Sequence, residues 1–198
     1  GNPATIVLNY TSVAGLTDVT HLGIFTIAEF SNIPNLVLLA PTNKAEYFAM
    51  LDWSIEQQEH PVMILMPGNG AIDDGRVAEK DYSNIINKFK VEEKGSKVAI
   101  LGLGDFYQIG EEVSKMVEEK LGFKPTLVNP RFASGVDKEL LNDLKQDHDL
   151  VITLEDGILR GGFGESIASF YGDSDIKVKN YGLEKKFYDR YNPSQLLD

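Results

Sequence analysis

The sequence predicts an α/β fold, and three observations carry that prediction. Short, continuous apolar runs bounded by turn residues recur along the 198-residue chain. Segments with helical spacing separate them. One stretch without periodicity divides the alternation into two parts. Continuous apolar runs are the pattern of strands covered on both faces of a parallel sheet. Strands alternating with helices imply right-handed crossovers. The expectation is therefore two parallel or mixed sheet units with flanking helices.

The elements follow in order. TIVLN (5–9) and LVLLA (36–40) read as buried strands, and VMILM (62–66) as a third, led by Pro61 and stopped by Pro67 and Gly68. Helices are expected near 22–31 and over 43–58. In the second of these Phe48, Leu51 and Ile55 would share the inward face, and Asn43 would be the N-cap. Residues 67–85 are rich in Gly, Asp, Asn and Pro and read as a linker. Beyond it KVAILGL (97–103) is a strand. Helix 107–121 would turn Ile109, Val113, Met116, Val117 and Leu121 inward. PTLVNP is a strand, and DKELLNDLKQ a helix capped by Asp137. DLVITLED is a strand, GGFGESIASFYG a glycine-led helix with Phe163, Ile167 and Phe170 inward, and IKVKNYG the last strand.

Composition excludes several function classes. Hydrophobic residues make up 42% and charged residues 25%, an ordinary globular balance. The net charge of -11 argues against nucleic acid and anionic membranes as partners. The arginines, Arg76, Arg131, Arg160 and Arg190, do not cluster. With no cysteine, disulfides, thiolate metal sites and cysteine nucleophiles are excluded, which fits a cytoplasmic protein. No apolar run approaches the roughly 20 residues of a membrane span, and no signal-peptide pattern opens the chain. The first apolar run begins at Thr5, almost at once. Two expectations fit that start equally: a chain cut from a longer one, and a complete domain behind a cleaved tag.

The motifs have to be weighed against plainer readings. Gly102 and Gly104 lie between a strand and a helix, but Tyr107 holds the third glycine position of a dinucleotide fingerprint and the next strand ends in Asn129-Pro130. A tight turn accounts for them better than a nucleotide site. Gly161, Gly162 and Gly164 open a helix whose free N–H groups suit an anion. Glu155 and Asp156 close by would repel a phosphate, which favours packing. His21 ends a loop of small residues, where a histidine can give or take a hydrogen bond with a substrate oxygen. From chemistry alone a helix-start residue making a local hydrogen bond is the better explanation. His60 and His148 read as surface residues. Three histidines so scattered make no metal site.

Four segments in order then carry a resemblance. THLGIFTIAEFSNIPNLVLLAPTNKAE, RFASGVDKELL, LEDGILRGGFGESI and NYGLEKKFYDRYNPSQLL resemble, in sequence order, segments of 1-deoxy-D-xylulose-5-phosphate synthase, a branch of the transketolase superfamily. The resemblance implies a partial pyrimidine-binding domain over 1–67, a linker over 68–85 and a transketolase C-terminal domain over 86–198. It implies thiamine diphosphate and Mg2+ as cofactors of the complete enzyme, held by regions not in this chain. By the same resemblance the chain would not be catalytic by itself, and the complete enzyme would be a homodimer. His21 matches the family histidine that contacts substrate oxygens. The family's loop aspartate aligns with Thr17, and Asp18 stands one place later as its substitute.

Two departures matter most. The family has an arginine where this chain has Tyr10, and a second where it has Gly68. Such arginines hold a substrate phosphate by bidentate, charge-assisted bonds, each worth about 1.5–3 kcal/mol. Without them the expectation is a different, unphosphorylated substrate or a lost activity. Three functions stand open at this point. The first is the C-terminal portion of a two-carbon-transferring enzyme acting on a sugar or keto-acid substrate, including a split form with a separate N-terminal half. The second is a non-catalytic interaction module derived from the fold. The third, with least support, is a nucleotide-binding regulator using the turn at 102–107.

Overall fold

A computed structural model describes residues 2–14, 18–68, 70–193 and 195. It contains two sheets. In the first, β1 (Ala4–Leu8), β2 (Val37–Leu39) and β3 (Pro61–Leu65) lie parallel in the order β1-β3-β2. In the second, β4 (Lys90–Glu93), β5 (Lys97–Gly102), β6 (Thr126–Asn129), β7 (His148–Ile158) and β8 (Lys177–Leu183) lie in the order β4-β6-β5-β7-β8. Four of these five are mutually parallel, and β4 runs antiparallel along β6. The helices are α1 (Thr26–Phe30), α2 (Lys44–Glu56), α3 (Tyr107–Leu121), α4 (Lys138–Leu144) and α5 (Phe163–Phe170). The mixed α/β architecture read from the sequence is the one observed.

Caps fix the helix starts as their residue types require. The side chain of Asn43 accepts from the Glu46 N–H, and that of Asp137 from the Leu140 N–H. The inward faces differ from the apolar stripes. α2 buries Glu46, Met50, Trp53 and Ser54, while Phe48 and Ile55 are 50% and 61% exposed. The reason is polar: the Glu46 carboxylate accepts from the Thr42 N–H and hydroxyl at 2.9 Å and from Asn129 Nδ2 at 2.8 Å. That network turns the helix and sets the hydrophobic stripe aside. α3 buries Tyr107, Gly110 and Ser114, and leaves Met116 and Leu121 exposed. The small Gly110 lets the helix sit close to Ile100 and Leu127.

Two further readings are corrected, and one strand is added. β1 is an edge strand, and its Ile6 is exposed, so it is not covered on both faces. β4 has alternating half-buried and exposed residues and carries no apolar run, so it left no signal in the sequence. His148 is buried, with Nε2 at 2.8 Å from the Thr126 hydroxyl and Nδ1 at 2.6 Å from Asp147. These hydrogen bonds let a polar ring sit at the start of β7.

The sheets are joined through main chain as well as side chains. The free edge of β2 pairs antiparallel with the segment after β6. Ala40 N–H donates to the Arg131 carbonyl at 2.9 Å, and Ala133 N–H to the Leu38 carbonyl at 2.8 Å. Between them Phe132 enters the core of the first sheet beside Tyr82 and Trp53. Leu38 packs in one cluster with Leu101, Val128 and Phe163 of the second sheet. A Leu38→Ala change is expected to cost about 3 kcal/mol. Because the core is shared, denaturant should still unfold the chain in a single transition at a lower midpoint. Two separated transitions would show that the sheets are energetically independent.

Candidate active-site face

The loop after β1 and the turn after β3 meet at one end of the first sheet. Tyr10 follows β1 in the left-handed region (φ 59) and is half exposed. Its carbonyl accepts from the Gly23 N–H at 2.8 Å. That bond brings the His21 ring edge-on to the Tyr10 ring, with centroids 5.2 Å apart. His21 and Asp18, the two site residues expected from the sequence, lie together and are exposed. Thr17 lies outside the described residues.

Asp18 caps the short turn Val19–His21. Its carboxylate accepts from the Thr20 N–H at 2.8 Å and the Thr20 hydroxyl at 2.7 Å. These bonds, chiefly the one from the hydroxyl, hold its pKa below the usual carboxylate value, with a smaller contribution from His21. The same hydroxyl is 2.8 Å from His21 Nδ1. A hydroxyl has one proton, and here it goes to Asp18. Thr20 can then only accept from the imidazole, so Nδ1 carries the ring proton and Nε2 is the unprotonated nitrogen. Nε2 has no hydrogen-bond partner among the described residues. It is placed to accept from a hydroxyl or, once protonated, to donate to a carbonyl.

Tyr10 and Gly68, the two positions without the expected arginines, line the same cleft. Its volume is about 460 Å³, and Asn9, Ala14, Met66 and Pro67 complete much of the wall. Behind the wall lies a buried polar seam between the sheets. The Ser12 hydroxyl donates to Asp156, and the Val13 N–H donates to the other oxygen of Asp156 at 3.0 Å. The Gly68 N–H donates to Asp105 at 2.7 Å. Burial pushes Asp156 up to about 7 against the opposing hydrogen bonds, and the Asp105 charge pushes the same way. Burial also raises Asp105. A cavity of about 20 Å³, room for one water, lies against both carboxyls. The sequence singled out neither Asp105 nor Ser12, and it read Asp156 only as a strand-end carboxylate that would repel a phosphate.

The glycine-led helix resolves its own question. The Glu155 carboxylate accepts from the Phe163 and Gly164 N–H groups, both at 2.8 Å. The anion at this helix start is thus the chain's own, and a Cβ on Gly162 would collide with it. At the far end of the chain, Tyr191 donates to the Val13 carbonyl at 3.0 Å, and Phe187 meets Phe25 edge-on at 5.6 Å. The C-terminal segment therefore straps the loop that carries Tyr10 and His21.

Among the described residues, no group of three or more histidine or acidic side chains is arranged to hold a metal. The N–H groups at Val13, Ala14 and Gly68 are already bonded within the chain. The residues present therefore do not fit a magnesium diphosphate, and no chemical step is derived through one. No helix among the described residues is long and apolar enough to cross a membrane.

Comparison with known proteins adds the family. The 1-deoxy-D-xylulose-5-phosphate synthase of Lachnoclostridium phytofermentans is 31% identical over 190 residues, covering 94% of this chain and 30% of that protein. The enzyme of the same description from Synechococcus sp. (strain JA-3-3Ab) is 34% identical over 198 residues, covering 98% of this chain and 30% of the other. The chain thus spans about 30% of the length of these curated relatives. A solved structure described as a split gene transketolase, inactive beta4 tetramer, has the same fold. It gives a TM-score of 0.76 at 24% identity over 98% of this chain and 59% of that one. The family model described as the transketolase C-terminal domain matches residues 87–198, more than half of the sequence, and the chain belongs to that family.

Proposed function

We propose that this chain is the C-terminal portion of a 1-deoxy-D-xylulose-5-phosphate synthase-like or transketolase-like enzyme, and that it supplies the acceptor side of the active site. Residues 1–67 would belong to the pyrimidine-binding domain, 68–85 to a linker and 86–198 to the C-terminal domain. The observation that carries the reading is the Asp18–Thr20–His21 chain at the mouth of the Tyr10 cleft. It fixes the imidazole tautomer and leaves Nε2 to orient an aldehyde or hydroxyl. Thiamine diphosphate with Mg2+, held by polypeptide outside this chain, would supply the two-carbon carbanion equivalent. The chain's own part is to bind and orient the acceptor and to move a proton at its oxygen.

The complete enzyme would be a dimer, or an assembly with a separate N-terminal half, a reading supported by the likeness to a split gene transketolase. Cytoplasmic location belongs to the same reading. The test is reconstitution with the upstream region of the gene, or with the partner polypeptide that carries the cofactor site. His21→Ala is expected to lower two-carbon transfer by about 10²-fold or more with cofactor affinity unchanged. Full activity in that variant would remove His21 from the site. An assembly that never binds cofactor would favour the interaction module. That second reading has one observation behind it: a Cβ at position 68 would collide with Ser12, so the loop fills the place of a binding side chain.

A further inference from the structure

We propose that the cleft beside Tyr10 takes an acceptor without a phosphate group, a short neutral hydroxyaldehyde, a reading that rests on the assignment of His21 to the acceptor. Charge and shape both point that way. The first 75 residues contain no arginine and one lysine, Lys44, against eight aspartates and glutamates. Lys44 faces Asp73 at 3.8 Å. The next cation, Arg76, lies over the Tyr107 ring at 4.3 Å and donates to Asp74 and Thr42. Among the described residues, no lysine or arginine lines the cleft.

Main-chain donors do not replace the missing cations. A phosphate can be cradled by successive N–H groups. Here the Val13 N–H goes to Asp156, Ala14 to the Ser12 hydroxyl, Gly68 to Asp105 and Gly70 to the Pro67 carbonyl. Two of these acceptors are carboxyls standing directly behind the wall. A dianion entering the cleft would meet no charge-assisted bond.

The groups that are present suit hydroxyls and a carbonyl. The Tyr10 phenol gives and takes a hydrogen bond, the Asn9 amide does both, and His21 Nε2 accepts. Met66, Pro67 and Ala14 give the wall apolar surface. A volume of about 460 Å³ holds a small molecule of a few carbons with water to spare. Position 68 cannot take a phosphate-binding side chain without displacing Ser12, so the neutrality is built into the loop packing.

The experiment follows the His21 ring signals by NMR in the 198-residue chain, assigned with His21→Gln. Glyceraldehyde, glyceraldehyde 3-phosphate and inorganic phosphate are titrated in turn. Glyceraldehyde should move the His21 signal, with the phosphorylated probe and phosphate at least about tenfold weaker. Tyr10→Ala should abolish the response, and Tyr10→Phe, which keeps the ring and its packing, should weaken it. Tyr10→Arg should reverse the preference toward glyceraldehyde 3-phosphate. If wild type binds the phosphorylated probe as tightly as the neutral one, this inference fails and the acceptor reading stands. If neither probe moves His21 at the highest soluble concentration, the acceptor reading itself falls.

Discussion

Glu155→Ala is expected to cost roughly 2–6 kcal/mol, the penalty of leaving two buried N–H donors unsatisfied. The carboxylate sits between the end of β7 and the start of α5 and satisfies two of the four orphan N–H groups there. Alanine would leave both donors buried and empty. It would also open a void where Gly162 and Gly182 now pack against the glutamate. Such a loss takes a large share of the roughly 5–15 kcal/mol that holds a typical domain. Glu155→Gln keeps one acceptor oxygen and turns an NH2 toward the other N–H, so it should fall between alanine and wild type. Urea denaturation of the three proteins reads this directly. An alanine variant within about 1 kcal/mol of wild type would mean that the helix start finds another partner.

The second large effect is a pH dependence. Asp156 is pushed up to about 7 by burial in the seam, whereas an unfolded aspartate titrates near about 4. Between those values the native state keeps a proton that the unfolded chain has released. Native protons outnumber unfolded ones, so unfolding free energy falls as pH rises across that window. The contribution is full below about 4, and about 4 kcal/mol is lost by the time the pH passes about 7. Glu155, also pushed up to about 7 by burial, adds a slope of the same sign. Asp156→Asn is neutral at every pH and keeps the Val13 N–H bond through its amide oxygen. It should cut the slope by about half and leave the variant more stable than wild type above about pH 7. Denaturation midpoints across that range test it. A slope equal to that of wild type would place the titrating proton elsewhere.

Legibility in the sequence followed locality. Most strands announced themselves because a parallel sheet covered by helices needs continuous apolar runs, and LVLLA, VMILM and KVAILGL supply them; TIVLN shows the same run on a strand that is only partly covered. Caps at Asn43 and Asp137 were visible because a cap acts within three residues. What failed depended on distant partners. The inward turn of Glu46 needs Asn129, 83 residues away. The burial of His148 needs Thr126 on a neighbouring strand. β4 was silent because its four residues, KVEE, alternate at a sheet edge. For the candidate site, His21, Asp18, Tyr10 and Gly68 came from the resemblance, and local chemistry alone favoured a helix-start role for His21. The contact of Tyr10 with His21 and the Ser12–Asp156 bond across 144 residues lie beyond any local pattern.

The strap from Tyr191 to Val13 has a consequence for biosynthesis. The two residues are 178 positions apart, which a ribosome covers in on the order of 10–35 s. Through that interval the loop bearing Tyr10 and His21 has left the ribosome, yet Asp156, and later Tyr191, have not been made. The surface bearing Tyr10 and His21 is therefore among the last parts of the chain to take shape, and a polypeptide released before residue 187 would keep the Asp156 contacts to the loop but lack the strap.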